Sequence, residues 1–562
     1  MKQSVAGIAG AAGLDAGSRI FALLAAIHKR DAILTAENPV VVDSDCCFAD
    51  GQALSGTAAW AQLLHSGGLA GIEGAFTVAW FAGDGSLHLA RDALGERSLY
   101  YAITDGGLVF SSSVHSILSS GCIAGEIHLP AVARYLTYAY NPGRETLLKN
   151  IFALLPGEEL IWNAGLLRRT FFWQIPAETP THDTEDKLRY DLRTLLEKAV
   201  ARRLPEGNVA ATLSGGIDSS LVVALAHQAG STINTFSVSF GEGYANELPF
   251  SNLVARHCGT NHQIVEVSPG AISSQLDACI RLLSEPIGDP LTVPNALLFA
   301  AGRQHAQVVL NGEGGDPCFG GPKNLPMLLS RFFGDGDEDI DFEHERSYLR
   351  AHLKCYDDLP LLLADSVQEN LKQCASMESE IKPYLDDARF PSYIHRLSAI
   401  NVVLKGGHHI LPKVDAIGRA YGVLPRSPLF DRSVVEMAFR IPPHMKLMGS
   451  VEKYLLKAAV SDLLPREIIE RPKSGMLVPV EAWFSPGGRL KNAGPLWKFG
   501  RERILDSKFF SQWFRRPYLE KLVNGRLGGV RPRHGAKVWL LVTLESWLRS
   551  LPTSPRSSLD SR

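Results

Sequence analysis

Seven consecutive residues, Ser214-Gly215-Gly216-Ile217-Asp218-Ser219-Ser220, gather two glycines, three hydroxyls and a carboxylate. The apolar run 208–213 before them reads as a buried strand, and 219–227 after them as a helix. Glycines let a backbone approach an anion, the free N–H groups of a helix's first turn point at it, and serine hydroxyls add donors. That is the chemistry of a polyphosphate cradle. A plain strand-to-helix turn with serine caps would use some of the same residues, but it has no need of Asp218, which suits Mg²⁺ held against phosphates. The lysine and spacing of GxxxxGK(S/T) are absent, so this is not the common P-loop.

Strands alternating with helices must position such a loop. The segments 233–240, 263–267 and 307–310 read as strands, and 247–257 and 295–301 as helices, a βαβα series that predicts a doubly wound parallel sheet with ligands at the strands' carboxyl ends. Residues 322–414 read as mainly helical, as do 433–439, 453–464 and 537–550. Before residue 180 the pattern is β-rich (76–81, 87–90, 98–101, 107–111), with helices expected at 19–27 and 129–138, which predicts a layered αββα sandwich. A polar linker with Pro176 and Pro180 separates the two patterns. The expected organisation is therefore an N-terminal domain over 1–180, a larger α/β domain over 184–550 whose C-terminal part is helical, and a disordered Ser/Pro/Arg-rich tail over 551–562.

Composition narrows the function classes. The 562 residues predict two to four domains at roughly 100 to 200 residues each. Lys plus Arg is 57 against 59 Asp plus Glu, a net charge of −2, which argues against a nucleic-acid or anionic-membrane coat and for small partners. No run of about 18 apolar residues predicts a membrane span, and the start of the chain lacks the apolar core of a signal peptide. Eight scattered cysteines without a CxxC pair predict buried thiols rather than disulfides or zinc, hence a reducing compartment, taken as the cytoplasm. The acidic run 335–341 lacks EF-hand spacing and reads as a solvated loop.

The 214–220 heptapeptide resembles the SGG(I/L)DS loop of enzymes that split ATP between its α and β phosphates. Six further segments follow in order: 235–240 (TFSVSF), 285–290 (EPIGDP), 311–316 (NGEGGD) with Phe319-Gly320-Gly321, 413–415 (KVD) with 426–431 (RSPLFD), 453–457 (KYLLK) and 471–475 (RPKSG). Together they resemble the asparagine synthetase B family, which includes β-lactam synthetase, carbapenam synthetase and the lasso-peptide cyclases. The resemblance implies that a carboxylate is joined to AMP with release of pyrophosphate, and that an amine then displaces AMP to form an amide. It implies Asp218 and Asp316 as Mg²⁺ ligands; Ser214, Gly215, Gly216, Ser219, Ser220 and Gly312 around ATP and its pyrophosphate; and Leu213 and Val238 meeting adenine through their backbones. It also implies Lys473 as a catalytic cation, Lys453 as a phosphate contact, Glu313 in or near amine activation or orienting its loop, and Glu285 with Asp289 lining the carboxyl-substrate pocket or acting as structural caps. Pro317 stands where the family carries Glu.

The N-terminal half resembles the family's glutaminase domain through 71–76 (GIEGAF) and 89–101 (LARDALGERSLYY). Its catalytic residue differs. Such glutaminases use an N-terminal Cys whose α-amine assists its thiol, whereas here Ala6 of Val5-Ala6-Gly7-Ile8-Ala9-Gly10 occupies that place. The HRGPD and NGEIYN elements are also missing, the latter replaced around residues 42–51, and the internal Cys46 and Cys47 lack a free α-amine. The expectation is an ATP- and Mg²⁺-dependent amide-forming synthetase without glutamine hydrolysis, acting on a small molecule or peptide that bears a carboxylate and an amine, as a lasso-peptide or β-lactam-type cyclase would. The alternatives are an asparagine synthetase using free ammonia, and a non-catalytic scaffold.

Overall fold

The computed structural model describes residues 7–13, 32–35, 38–105, 107–179, 181–321, 343–472, 477–487, 492–529, 532–552 and 556–557. The helix expected at 19–27, the acidic run 335–341, and both Ala6 and Lys473 lie outside the described residues.

The first half is a pair of facing sheets. Its strands are β1 (Ile8–Gly13), β2 (Ala32–Ile33), β3 (Val40–Ala49), β4 (Gln52–Ala53), β5 (Ile72–Phe81), β6 (Leu87–Arg91), β7 (Tyr100–Thr104), β8 (Gly107–Ser111), β9 (Glu126–Ile127), β10 (Phe152–Ala153), β11 (Glu158–Asn163) and β12 (Leu166–Phe171). One sheet runs β10-β7-β8-β1-β2 and the other β12-β11-β6-β5-β3-β4. Side-chain alternation along β5 shows how the layers form: Ala79 joins the core between the sheets with Leu89, Tyr101 and Phe110. Phe76, Val78 and Trp80 face the other way, onto Trp60 and Leu64 of α1 (Thr57–His65). Helix α2 (Leu129–Tyr138) covers the opposite outer face, completing the αββα order.

The second half is built on five parallel strands, β13 (Val209–Thr212), β14 (Ile233–Ser239), β15 (Asn261–Glu266), β16 (Val308–Leu310) and β17 (Leu424–Arg426), in the order β15-β14-β13-β16-β17. Helices α3 (Glu185–Ala201), α4 (Ile217–Gln228), α5 (Leu248–His257), α6 (Pro269–Arg281), α7 (Thr292–Arg303) and the short α8 (Gly315–Phe319) accompany them. The chain starts on β13, builds outward through β14 and β15, then returns to β16 on the other side of β13. The direction of winding thus reverses between β13 and β16, where doubly wound sheets open a crevice at the strands' carboxyl ends. Further helices follow, among them the π-helix Ile400–Ile410, which runs into α9 (Leu411–Ala420), and the nearly all-buried α10 (His534–Ser550). Part of the tail expected to be disordered lies outside the described residues, but Arg556–Ser557 pair in parallel with β9.

The halves are joined by charge. Asp43 and Asp45 of β3 bind Arg419 and Arg426, Arg97 binds Asp415 of α9, and Arg202 bridges Glu73 of β5 and the fully buried Asp431. Asp45 meets Arg426 with both carboxylate oxygens at 2.8 Å. This geometry depends on a bulge in β3 between Asp45 and Phe48, where Cys46 has φ +49°. The bulge is accommodated by Gly74, at which a Cβ would lie 2.2 Å from the Cys46 carbonyl oxygen.

Candidate active site

The loop between β13 and α4 is held by its own serines. Ser214 and Ser219 hydroxyls lie 3.0 Å apart, Ser219 Oγ accepts from the Ser214 N–H at 3.1 Å, and Ser214 Oγ accepts from the Gly216 N–H at 3.2 Å. Gly215 has φ +77°, and its backbone lies so close to Phe250 and Ser251 that a Cβ would be 2.5 Å from the Ser251 nitrogen. Ser220 is fully buried in the first turn of α4, its hydroxyl without a hydrogen-bond partner among the described residues. Leu213 continues β13 by donating to the Phe236 carbonyl at 2.8 Å and is buried, as is Val238 on β14.

The loop after β16 presses against this one at the reversal of the sheet. A Cβ on Gly312 would lie 2.4 Å from the Ser219 nitrogen, and one on Gly315 would lie 2.1 Å from Asp218 Oδ1. Only glycine permits that approach. It brings Asp218 and Asp316 together around one cation, the Lys453 ammonium, at 2.6 and 2.5 Å. Two carboxylates converging on one positive group match the protein's share of a Mg²⁺ site, whose other ligands are phosphate oxygens and water. No cluster of three or more His, Cys, Asp or Glu side chains able to hold a metal occurs among the described residues.

Residues quoted in the motifs but given no role in the sequence reading complete the phosphate side. Arg471 donates to the Gly215 carbonyl at 3.1 Å and to Glu247 at 2.6 Å, and its guanidinium lies 3.8 Å from the centre of the Phe250 ring. Lys457, Arg471, Lys453, Glu452 and Gly216 line one small pocket at the N-terminus of α4, where free helix N–H groups favour an anion.

Across the β16 loop lies a second charged group. Glu313 takes its position from Asn311, whose Oδ1 accepts from the Glu313 N–H at 3.0 Å and from the Ser427 hydroxyl at 2.9 Å. Burial raises the Glu313 pKa; Lys413 opposes that shift, and Asp289 and Asp316 add to it. Lys413, buried on α9, donates to Asp289, with His409 at 3.4 Å. Burial works against the Asp289 charge, yet Lys413 and His409 outweigh it and hold the carboxyl well below its usual range. His409, stacked on Tyr140 at 5.3 Å, is pushed down to about 4 by burial and is neutral at pH 7.

Glu285, expected with Asp289 along a substrate pocket or as a structural cap, has partners of its own. Glu285 Oε1 accepts from the Leu147 N–H at 2.8 Å and from Asn141 at 3.3 Å, and burial raises its pKa to about 8. It lines a cavity of about 890 Å³ between the two halves with Arg97, Tyr100, His408 and Asp415. In the N-terminal half, burial raises the Cys46 thiol to about 11 and the Cys47 thiol well above its ordinary value, leaving both as unreactive thiols.

Comparison with known proteins agrees with this geometry. The profile of the asparagine synthase family matches residues 191–549, and that of the glutamine amidotransferase domain matches 58–173, a span that begins after Ala6. A provisionally named glutamine-hydrolyzing asparagine synthetase of Mycobacterium tuberculosis is 28% identical over 460 residues, covering 75% of this chain and 69% of its own. The glutamine-hydrolyzing asparagine synthetase 1 of Bacillus subtilis is 24% identical over 495 residues, 83% of this chain and 76% of that protein. Amidase chyE of Penicillium rubens is 24% identical over 487 residues, 74% and 70% of the two chains.

Proposed function

The chain belongs to the asparagine synthase family of ATP-dependent carbon–nitrogen ligases, and from that premise we propose that it adenylates a substrate carboxylate and couples it to an amine without hydrolysing glutamine. In the first step a carboxylate oxygen bonds to the α-phosphorus of ATP, the bond from that phosphorus to the bridging oxygen breaks, and pyrophosphate leaves. In the second the amine nitrogen bonds to the acyl carbon, the acyl–oxygen bond to AMP breaks, and one nitrogen-bound proton passes to a base. Ser214, Gly215, Gly216, Ser219 and the first N–H groups of α4 receive the pyrophosphate, with Lys453, Lys457 and Lys473 as countercharges and Gly312 closing the floor. Ser220, behind the loop, supports the turn. Leu213 and Val238 border adenine. Asp218 and Asp316 would hold Mg²⁺, which supplies charge neutralisation at the phosphates.

Glu313 is the proposed base: it stands on the same loop as Asp316, and its raised pKa makes it a better proton acceptor than an exposed carboxylate. Asp289 and Lys413 beside it form the wall of the acyl-substrate side.

The observation that carries the reading is the meeting of the two glycine loops, which converges Asp218, Asp316 and a lysine at the mouth of an anion-binding helix. The loss of glutamine use rests on Ala6 and on the β3 segment, whose Asp43 and Asp45 are engaged by synthetase arginines. The nitrogen then comes from the substrate itself, as in cyclases of the lasso-peptide or β-lactam kind, or from a separate amine. The names of the bacterial relatives support a second reading, conversion of aspartate to asparagine with free ammonia. Pyrophosphate release from ATP, measured with aspartate plus ammonia and with amine-bearing carboxylic acids and peptides, separates the two. Release with aspartate and ammonia alone would favour the second reading, and release with none of these substrates would defeat both.

A further inference from the structure

Lys453 touches both carboxylates proposed for the metal. Its side chain is 1% exposed, and its ammonium lies 2.6 and 2.7 Å from the two Asp218 oxygens and 2.5 Å from Asp316 Oδ1. Its backbone is in the left-handed region, φ +56° and ψ 35°, immediately before the helix Tyr454–Ala459. A β-carbon makes that conformation costly, so the surrounding structure holds the residue there. The Glu452 to Lys457 segment also borders the pocket at the N-terminus of α4, where Lys453 itself forms part of the lining. The residue whose ammonium meets the paired carboxylates therefore also lines the pocket at the N-terminus of α4, on the side where the phosphates are proposed. Asp316, a third exposed, opens the carboxylate side to solvent.

We infer that Lys453 is a resident counter-ion that keeps a divalent cation out of the Asp218/Asp316 seat until a nucleotide arrives to take the lysine. This rests on the metal and phosphate reading of the site proposed above. An ammonium hydrogen-bonded to Asp218 and paired with Asp316 neutralises two carboxylates much as a small cation would, so metal added to the free protein must displace an internal ion pair. A polyphosphate changes the balance. It offers the lysine new anionic oxygens in the adjoining pocket, and the freed carboxylates gain a cation that the phosphates also ligate. Binding is then ordered by electrostatics: cation and nucleotide enter together, and the empty protein does not fill with metal alone. The apparent affinity for metal in the free chain is lowered by the fraction of molecules in which the lysine occupies the seat.

Water-proton relaxation enhancement by Mn²⁺, which reports the ion on the protein, tests this on the full chain. Wild type, Lys453→Met and Asp218→Asn are each titrated with Mn²⁺ alone and with α,β-methylene-ATP present. The wild type is expected to bind Mn²⁺ at least about tenfold more tightly with the nucleotide analogue than without it, and Lys453→Met to bind Mn²⁺ alone at least about tenfold more tightly than the wild type does. Wild-type binding of Mn²⁺ alone as tight as binding with the analogue would overturn the inference while leaving the metal site intact. Full retention of binding in Asp218→Asn with the analogue would instead overturn the metal reading, and the inference with it. The wild-type comparison needs no variant, so a failure of Lys453→Met to fold does not shelter the proposal.

Discussion

The glycines at the loop contact are where single atoms decide the site. Adding a methyl group at Gly315 would place it 2.1 Å from Asp218 Oδ1, so Gly315→Ala is expected to weaken Mg²⁺–nucleotide binding by about tenfold or more in an equilibrium titration; unchanged affinity would contradict the close approach. Glu285 offers a pH test. Its folded pKa of about 8 lies above the ordinary value of 4.5, so the folded state binds the extra proton and loses this contribution to stability as pH rises between those values. Glu285→Gln keeps an oxygen to accept from Leu147 and Asn141 but cannot ionise. Its melting temperature should therefore gain on that of the wild type from pH 5 to pH 8, and a constant difference across that range would refute the shift. Asp289→Asn acts in the other sense, leaving Lys413 buried without its counter-ion at a cost of about 3 kcal/mol or more, read as a fall in denaturation midpoint. The heptapeptide and the NGEGGD run were legible as chemistry because each carries its residues within one loop. The Lys453 and Lys413 pairs were not, because they join residues 235 and 124 positions apart and no local pattern encodes such contacts.

At the scale of elements, β3 bears most on what the N-terminal half now does. Its bulge turns Asp45 onto Arg426, the last residue of β17, whose carbonyl accepts from the Asn311 N–H at 3.0 Å. Asn311 in turn holds Glu313, so the N-terminal sheet braces the loop that bears the proposed base. Asp45→Asn breaks a half-buried two-oxygen pairing and is expected to lower the melting temperature by several degrees, about 2–4 °C per kcal/mol for a chain portion of this size, with Arg426→Gln adding little further loss in the double variant; full additivity would deny the coupling. Most strands and helices of the parallel sheet were readable from the alternation of short apolar runs with amphipathic ones, to within two or three residues. Helix α1 was not anticipated, since nine residues with Gly56 before them give too short a periodic signal. The bulge itself was invisible, because Cys46 and Cys47 in sequence look like any pair of apolar strand residues.

Across the whole molecule, the first half matches a glutamine amidotransferase domain over 58–173, while in the proposed reading Ala6 stands where a catalytic Cys would. The arrangement is intelligible if the first half serves as a bracket: α2 sends the Tyr135 hydroxyl to the Leu540 carbonyl at 2.9 Å, and Arg97 binds Asp415 two residues after Lys413 on α9. Within the described residues no helix is long and apolar enough to cross a membrane. The proposed activity splits ATP to AMP and pyrophosphate to make an amide while glutamine is ignored. It is tested most directly by following glutamate and pyrophosphate together during turnover of the full chain with ATP, Mg²⁺, an amine-bearing carboxylic acid and glutamine. Pyrophosphate release is expected not to depend on glutamine and to be accompanied by no glutamate. Glutamate formed in step with pyrophosphate would contradict it.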